Sequence, residues 1–434
     1  MNYINILQNS LDYIEDNIKT TISPEELADL SAFSVFHYYR IFQAALGRSV
    51  MEYITRRRLL HALYDMSQGE KKVDVALLYG FNTYAGFYKA FKKEFKSSPS
   101  RYLDNHTISK PYKINLVKEE YIMLSHKKLK QVLLKWNLNV VELKNIYYEA
   151  NGIIQENKWY VNDDYILSVG TNMEGLKHHI QISKELSKKG LNASLPVPTK
   201  DGMDYYAEED IYYYLATKLE GDAIKSGECY KEDYSKKAFS MGEMIGNLHQ
   251  ILLTYNDTIL CNEPNLYEIC TKWAIPKTKE ILNLPEEFYI DYQNQFSELF
   301  PLLPKQIIHR DPNPGNIIVK DGKLSGFIDF DLTEKNVRLF DPCYLSTAIL
   351  SESFVEGDKD KLKKWSTIFK QILSGYDSLL PLSKEEKAAI PYIIFSIQFI
   401  FIAYLDEKEK LTTMFETNKK MTLWLVNNKE ILSF

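Results

Sequence analysis

The stretch IIHRDPNPGNIIVKDGKLSGFIDFD, from Ile307 to Asp331, holds the residue types that phosphoryl transfer needs. That reaction asks little covalent help of a protein: metal ions must neutralise the phosphates and a carboxylate must orient the attacking hydroxyl. His309-x-Asp311-x4-Asn316 sets one carboxylate and one amide five residues apart, on a loop that Pro312 and Pro314 stiffen. After a turn at Asp321-Gly322, a strand from Ser325 to Ile328 should deliver Asp329 beside them. Magnesium takes hard oxygen ligands and bridges phosphates, so Asn316 and Asp329 suit the metal and Asp311 the catalytic carboxylate.

The elements that must position this motif begin well upstream. Leu124 to Leu138 reads as a helix, and Asn139 to Gly170 as strands broken by Asn-Gly and Asn-Asp-Asp turns. A helix from Met173 to Lys189 and a strand-like stretch from Leu195 to Ile224 follow, and from about Tyr234 most segments are helical. A strand-rich lobe precedes a larger helical lobe. The apolar run Ile390 to Leu405 is interrupted by Ser396 and Gln398 and is too short to span a bilayer, so it is expected to be a buried helix.

The first hundred residues have a different grammar. Ile4, Leu7, Leu11, Ile14 and Ile18 line one face of a helix over residues 3 to 18. Ser23-Pro24-Glu25-Glu26 then combines a capping serine, a first-turn proline and a glutamate three residues on. This helix should end near Ser31, with Ala32-Phe33-Ser34 turning into a second helix from Val35 to Ala45, which makes a helix-turn-helix. The unit recurs: Ala28 matches Ala76, Phe33 matches Phe81, the capping Ser34 matches Asn82, and Phe42 matches Phe91. Between the copies, Ser49 to Met66 reads as one helix with Ile54, Leu59, Leu63 and Met66 inward and Arg56, Arg57 and Arg58 outside. Phe36, Tyr38, Phe87 and Phe91 are expected in the core.

Composition bounds the rest. The chain has 434 residues, 45% hydrophobic and 26% charged, as folded globular proteins do, and its length predicts more than one domain. The net charge is −5, but residues 1–103 carry 13 Lys/Arg against 11 Asp/Glu and the remainder carries −7, so only the front end tolerates a polyanion. Cys229, Cys261, Cys270 and Cys343 form no CxxC pair and are expected to be reduced structural thiols. No secretory signal is evident at the first residues, and a cytoplasmic protein without membrane attachment is expected.

Two family resemblances sharpen these readings. Residues 1–103 resemble the DNA-binding domain of AraC-type transcription regulators, on Gly80 to Leu103 and on S-x-x-x-Y-x-R-x-F from Ser34 to Phe42; Lys96 stands where that family usually has glycine. Two recognition helices are implied, entering successive major-groove faces of double-stranded DNA. Ser34, His37, Arg40, Thr83, Tyr84 and Lys89 become candidate contacts to bases or phosphates, and Arg57, Lys92 and Lys93 candidate phosphate contacts. With Gly315 before Asn316, and Asp331 where protein kinases have glycine, residues from about 122 to 434 resemble the aminoglycoside phosphotransferase and choline kinase family. Tyr212 to Gly221 looks like that family's hinge, with Ala216 and Lys218 as nucleotide contacts, and Asp341 falls where it carries a further, structural aspartate.

The implied fold is multidomain: an all-α double helix-turn-helix domain (1–103), a linker (104–112), then an α+β bilobal protein-kinase-like domain, with a small lobe about 113–220 and a large lobe about 221–434. The resemblance implies ATP or GTP with Mg2+ and a small hydroxylated substrate or ligand. Yet Ser168 takes the place of the lysine that normally holds the nucleotide phosphates, and His179 or Gln181 falls where its glutamate partner is expected. A three-residue loop at Asn162-Asp163-Asp164 would pair Lys158 with Ser168 on one face, whereas a two-residue loop would pair Ser168 with Trp159 and turn Lys158 away. Two functions remain open. One is a transcription regulator whose C-terminal domain senses a ligand; the other is an active small-molecule kinase for an aminoglycoside, choline-like alcohol, homoserine or sugar. Tyr344, Tyr392, Phe399, Phe401 and Trp424 could line an aromatic cage for a quaternary amine or simply pack.

Overall fold

The computed structural model describes residues 3–31, 33–46, 49–95, 98–105, 108, 110–111, 113, 126–147, 154–208, 211–406 and 412–434. Lys96 and the expected Asn151-Gly152 turn lie outside them. The chain divides into two units, Met1–Thr171 with Pro196–Ala216, and Asn172–Leu195 with Thr217–Phe434.

The first unit opens with α1 (Tyr3–Asp16), α2 (Pro24–Leu30), α3 (Val35–Leu46), α4 (Val50–Ser67), α5 (Lys72–Leu78), α6 (Tyr84–Phe95) and α7 (Pro99–Asn105). Ser23 caps α2 in a full capping box with Glu26, as its spacing predicts, and Ser49 with Glu52 does the same for α4. Leu11, Ile14, Tyr38, Phe42, Phe87 and Phe91 are fully buried in one core. Phe36 departs from expectation: it stands 74% exposed on α3, off the helix face that buries Tyr38 and Phe42. The second copy of the motif is capped by Thr83, whose hydroxyl accepts the Gly86 N–H at 3.1 Å, rather than by Asn82.

The same unit holds α8 (His126–Leu133), shorter than the expected helix, since the chain turns before Trp136. The Trp136 indole N–H instead donates to the Val197 carbonyl at 2.7 Å. Strands β1 (Leu143–Tyr147), β2 (Ile154–Val161) and β3 (Tyr165–Gly170) come next. In chain order α9 (Met173–Lys188) and β4 (Asn192–Ala193), which belong to the second unit, precede β5 (Tyr206–Glu208) and β6 (Ile211–Thr217). The five-stranded sheet has the order β1-β2-β3-β6-β5. Trp159, Val161, Leu167 and Val169 bury one face against Leu129, Leu133 and Trp136. Burial of one face fixes the strand register, because a one-residue slip would turn the whole apolar set to solvent.

The second unit adds β7 (Asp222–Ala223), α10 (Tyr234–Leu253), α11 (Leu266–Ile269), α12 (Ile275–Leu282), α13 (Glu286–Leu299) and β8 (Lys305–Ile308). It continues through β9 (Ile317–Lys320), β10 (Lys323–Phe327), β11 (Glu334–Val337), α14 (Phe340–Ser351), α15 (Lys359–Leu379), α16 (Lys384–Asp406) and α17 (Thr412–Asn427). A four-stranded sheet runs β4-β10-β9-β7, and β8 pairs antiparallel with β11. Asp321 and Gly322, with φ of 51° and 75°, make the tight turn joining β9 to β10. Helix α16 is long and apolar enough to cross a membrane, yet Ile390, Ile393, Ile394, Phe399 and Ile402 are fully buried in the core. Phe399 packs against Tyr292 and Phe288, and Trp424 against Trp365, so these aromatics serve helix packing. The four cysteines are unbridged thiols, and burial pushes all of them up, Cys270 to about 11 and Cys229 to about 12, which favours the protonated thiol.

Candidate functional site

The loop after β8 is fixed by backbone capture. Fully buried Asp341, in the first turn of α14, accepts the His309 N–H at 2.8 Å through Oδ2 and the Arg310 N–H at 3.0 Å through Oδ1. Oδ2 also meets His249 Nε2 at 2.9 Å, and His249 Nδ1 lies 2.8 Å from the Tyr376 hydroxyl. The aspartate acts here as a structural clamp. Arg310 takes a left-handed φ of 76°, pairs with Glu334 at 2.8 Å and lies 4.0 Å over the Phe340 ring.

On this loop Asp311 and Asn316 meet directly. The Asn316 amide donates to the Asp311 carbonyl at 2.9 Å and to its carboxylate at 3.3 Å. Asn313 donates to the other carboxylate oxygen at 3.0 Å, and the Tyr344 hydroxyl adds a further hydrogen bond. Burial raises the Asp311 carboxyl above the ordinary range; the Asn313 and Tyr344 bonds and His309 oppose this, while the Asp329 charge adds to it. Asp329 is thus near enough to be felt. It has a left-handed φ of 69° and follows Ile328, whose N–H bonds the Asn316 carbonyl at 3.1 Å and whose own carbonyl meets His309 Nε2 at 3.0 Å. The sequence did not mark Asn313 or Tyr344 as partners of Asp311; Asn313, two residues beyond it, was the legible clue.

These residues fit magnesium. With its Nδ2 committed to Asp311, the Asn316 amide has its Oδ1 left for a cation, alongside the Asp329 carboxylate. Among the described residues no three His, Cys, Asp or Glu side chains converge. Magnesium is typically held by one or two protein oxygens, with nucleotide phosphates and water completing its shell.

In the first unit the β2–β3 hairpin has the three-residue loop: Val161 pairs with Tyr165 and Lys158 with Ser168. Asn162 and Asp163 supply the positive φ, 52° and 62°, that this turn demands. Lys158 and Ser168 are half-buried on the face opposite the core. Ala216 is buried and bridges Pro196, and Lys218 is exposed. In the second unit, the helix position expected to carry a glutamate presents His179 inward, 8% exposed, and Gln181 outward.

On the helix-turn-helix side, His37 and Arg40 on α3 and Lys89, Lys92 and Lys93 on α6 are exposed. Ser34 accepts the His37 N–H at 3.3 Å as a helix cap, and half-buried Tyr84 stacks on Phe87. The arginines of α4 are not outside, contrary to expectation. Arg57 is 5% exposed and bonds Glu15 at 2.5 and 2.9 Å, Arg56 pairs with Glu94, and Arg58 caps carbonyls of Ile18 and Thr20. Their charge ties α4 to its neighbours, and Arg57 is withdrawn as a phosphate contact.

Residues 151–370, about half of the chain, match the phosphotransferase enzyme family, and residues 27–105 match a helix-turn-helix domain. The chain is 32% identical over 107 residues to the probable transcription factor PqrA of Proteus vulgaris, covering 88% of it. The chain belongs to the phosphotransferase enzyme family, fused to an AraC-like helix-turn-helix regulator domain. An uncharacterized helix-turn-helix transcriptional regulator of Bacillus subtilis, YbfP, is 36% identical over 103 residues, 24% of this chain, and the chain spans only 35% of its length. The phosphotransferase part is 26% identical over 250 residues to the homoserine kinase of Neisseria meningitidis serogroup B, covering 56% of this chain and 76% of that enzyme. Among solved structures, amicoumacin kinase hAmiN shares the fold with a TM-score of 0.52 at 15% identity, over 71% of this chain and 94% of that one.

Proposed function

We propose that this protein is a sequence-specific DNA-binding transcription regulator whose phosphotransferase domain takes a magnesium nucleotide, ATP or GTP, and a small hydroxylated molecule as effector. The observation that carries this reading is the hydrogen-bonded Asp311–Asn316 pair beside Asp329, present in one chain with two exposed recognition helices. Magnesium, when bound, supplies neutralisation of the phosphate charge. Asn316 and Asp329 would hold it; Asp311 would accept the hydroxyl proton of the bound molecule and orient its oxygen. Asn313 and Tyr344 keep the Asp311 carboxylate aimed. Lys158 is proposed to hold nucleotide phosphates in place of a lysine at position 168. His37, Arg40 and Lys89 would reach the major groove, with Ser34, Thr83, Tyr84, Lys92 and Lys93 on the flanking phosphates.

The test is calorimetric titration of the full chain with magnesium and ATP, then GTP, followed by DNA affinity with and without nucleotide. Regulation requires different DNA affinity in the two states. Binding with a change in DNA affinity is expected; DNA affinity indifferent to nucleotide and to candidate ligands would overturn it.

A second reading, an active kinase for a small alcohol with DNA binding secondary, is favoured by the Asp311 carboxylate, which Asn313, Asn316 and Tyr344 hold in place and burial makes more basic than an ordinary aspartate. The likeness to homoserine kinase makes amino alcohols the first class to screen. Transfer of the terminal phosphate to such a substrate, abolished by Asp311→Ala, would favour it over the effector reading.

A further inference from the structure

We infer that His179 is a positioning residue for Asp329, holding the left-handed backbone that aims this carboxylate; the inference rests on the magnesium role proposed above. His179 lies on α9, 151 residues away in sequence, and its Nδ1 accepts the Phe330 N–H at 3.1 Å. A nitrogen that accepts carries no proton, so the imidazole proton sits on Nε2. One helical turn earlier, the Asn172 side chain caps Gly175 N–H at 3.0 Å, and a Cβ at Gly175 would come within 3.2 Å of the Asp331 carbonyl. Helix α9 therefore meets the backbone after Asp329 at two points four residues apart, Gly175 and His179, which share a helix face.

The other side of Asp329 is held as well. His309 Nε2 donates to the Ile328 carbonyl at 3.0 Å and its ring lies 4.6 Å from that of Phe330, which is fully buried. The peptide groups on both sides of Asp329 are thus fixed by histidines from different elements. A non-glycine residue in the left-handed region persists only where its surroundings over-determine it. The φ of 69° at Asp329 meets that condition through His309 before it and His179 after it. A carboxylate that binds metal needs such support, because misaimed ligands lose affinity by about 10- to 100-fold.

The experiment titrates magnesium into the full chain with a fixed concentration of ATP, for the wild type, His179→Leu, His179→Gln and His179→Asn. Asparagine places an amide oxygen where Nδ1 sits; glutamine keeps polarity but moves its oxygen one atom out. The expected result is magnesium affinity about tenfold weaker in the Leu and Gln variants, recovery to within about threefold in Asn, and metal-free ATP affinity unchanged throughout. Deuterium exchange of the Phe330 amide should quicken in Leu and Gln and not in Asn. Wild-type magnesium affinity in the Gln variant, or an Asn variant as weak as Gln, overturns the inference alone. A wild type that binds no magnesium nucleotide overturns the proposed function, and this inference with it.

Discussion

Asp341 and His249 face each other at 2.9 Å with both side chains fully buried, and the carboxylate oxygen that meets the imidazole also takes the His309 N–H. A carboxylate can only accept, so Nε2 donates. The pair joins α10 to the loop carrying Asp311. Removing the buried carboxylate leaves the His249 Nε2 and the His309 and Arg310 backbone N–H groups unpaired, at a cost of about 1–3 kcal/mol for each, several kcal/mol together. Asp341→Ala should therefore lower denaturant stability by that amount, and any surviving fold should lose the Asp311–Asn316 geometry. Urea unfolding with nucleotide titration checks both.

The buried arginine of α4 predicts a dissociation between stability and DNA binding. Arg57→Ala leaves buried Glu15, whose carboxyl is held below the usual range by His61 and Arg57 against the opposing effect of burial, with His61 as its remaining partner among these two, and should cost up to about 3–5 kcal/mol. Its DNA complex, measured where the protein is folded, should keep the wild-type salt dependence. Lys92→Ala and Lys93→Ala should do the reverse: little change in melting temperature, and a slope of log affinity on log salt shallower by about 0.9 for each phosphate no longer neutralised.

The pH dependence follows from Asp311. Burial raises its carboxyl, so the base form is lost as pH falls through a value above that of an ordinary aspartate, about 3.9. If the domain transfers phosphate, Asn313→Ala and Tyr344→Phe, each removing a hydrogen bond that favours the carboxylate, should move the acid limb of that reaction to still higher pH. In the same case Asp311→Ala should lower turnover by about 10²- to 10⁴-fold at all pH values. Rate profiles of the variants decide it.

What the sequence revealed and what it hid divide along a physical line. The Ser23–Glu26 cap placed α2, the apolar face from Ile54 to Met66 placed α4, and the apolar run from Ile390 placed the buried α16, because these depend on local residue order. The motif spacing placed Asp311 and Asn316 together for the same reason. Arg57 was misplaced because its partner Glu15 lies 42 residues away, and a triple-arginine run looks the same whether it faces water or three separate acceptors. Phe36 differs in the opposite sense: an aromatic expected in the core stands exposed, and residue type alone cannot tell the two apart. His179 was legible only as one of two residues near the expected glutamate position; its bond to the backbone N–H of Phe330, 151 residues away, leaves no local signal.

Two glycines mark a close helix crossing in the second unit. A Cβ at Gly242 of α10 would fall on the Ile372 carbonyl, and one at Gly375 of α15 on the Phe239 carbonyl. Alanine gains up to about 1 kcal/mol in helix propensity over glycine, but overpacking against backbone costs about 1–3 kcal/mol. Gly242→Ala should therefore destabilise, whereas Gly227→Ala, with open space at its Cβ, should be close to neutral. Thermal unfolding of the two variants provides the comparison.

The hairpin register bears on the missing lysine. Since Lys158 pairs with Ser168, the two side chains leave the same face of the sheet, while Trp159 and Leu167 leave the other. If Lys158 holds the phosphates, Lys158→Met should weaken nucleotide binding by about tenfold or more and Ser168→Lys should partly restore it in the double variant, since a cation returns to the same face. Ser168→Lys alone sets two like charges opposite each other, which is unfavourable in a cross-strand pair, so its gain over wild type should be smaller than its rescue of Lys158→Met. A double-variant cycle read by nucleotide titration measures that coupling. Additive effects would mean that the two positions act on different parts of the ligand, and Lys158 would lose the role proposed for it.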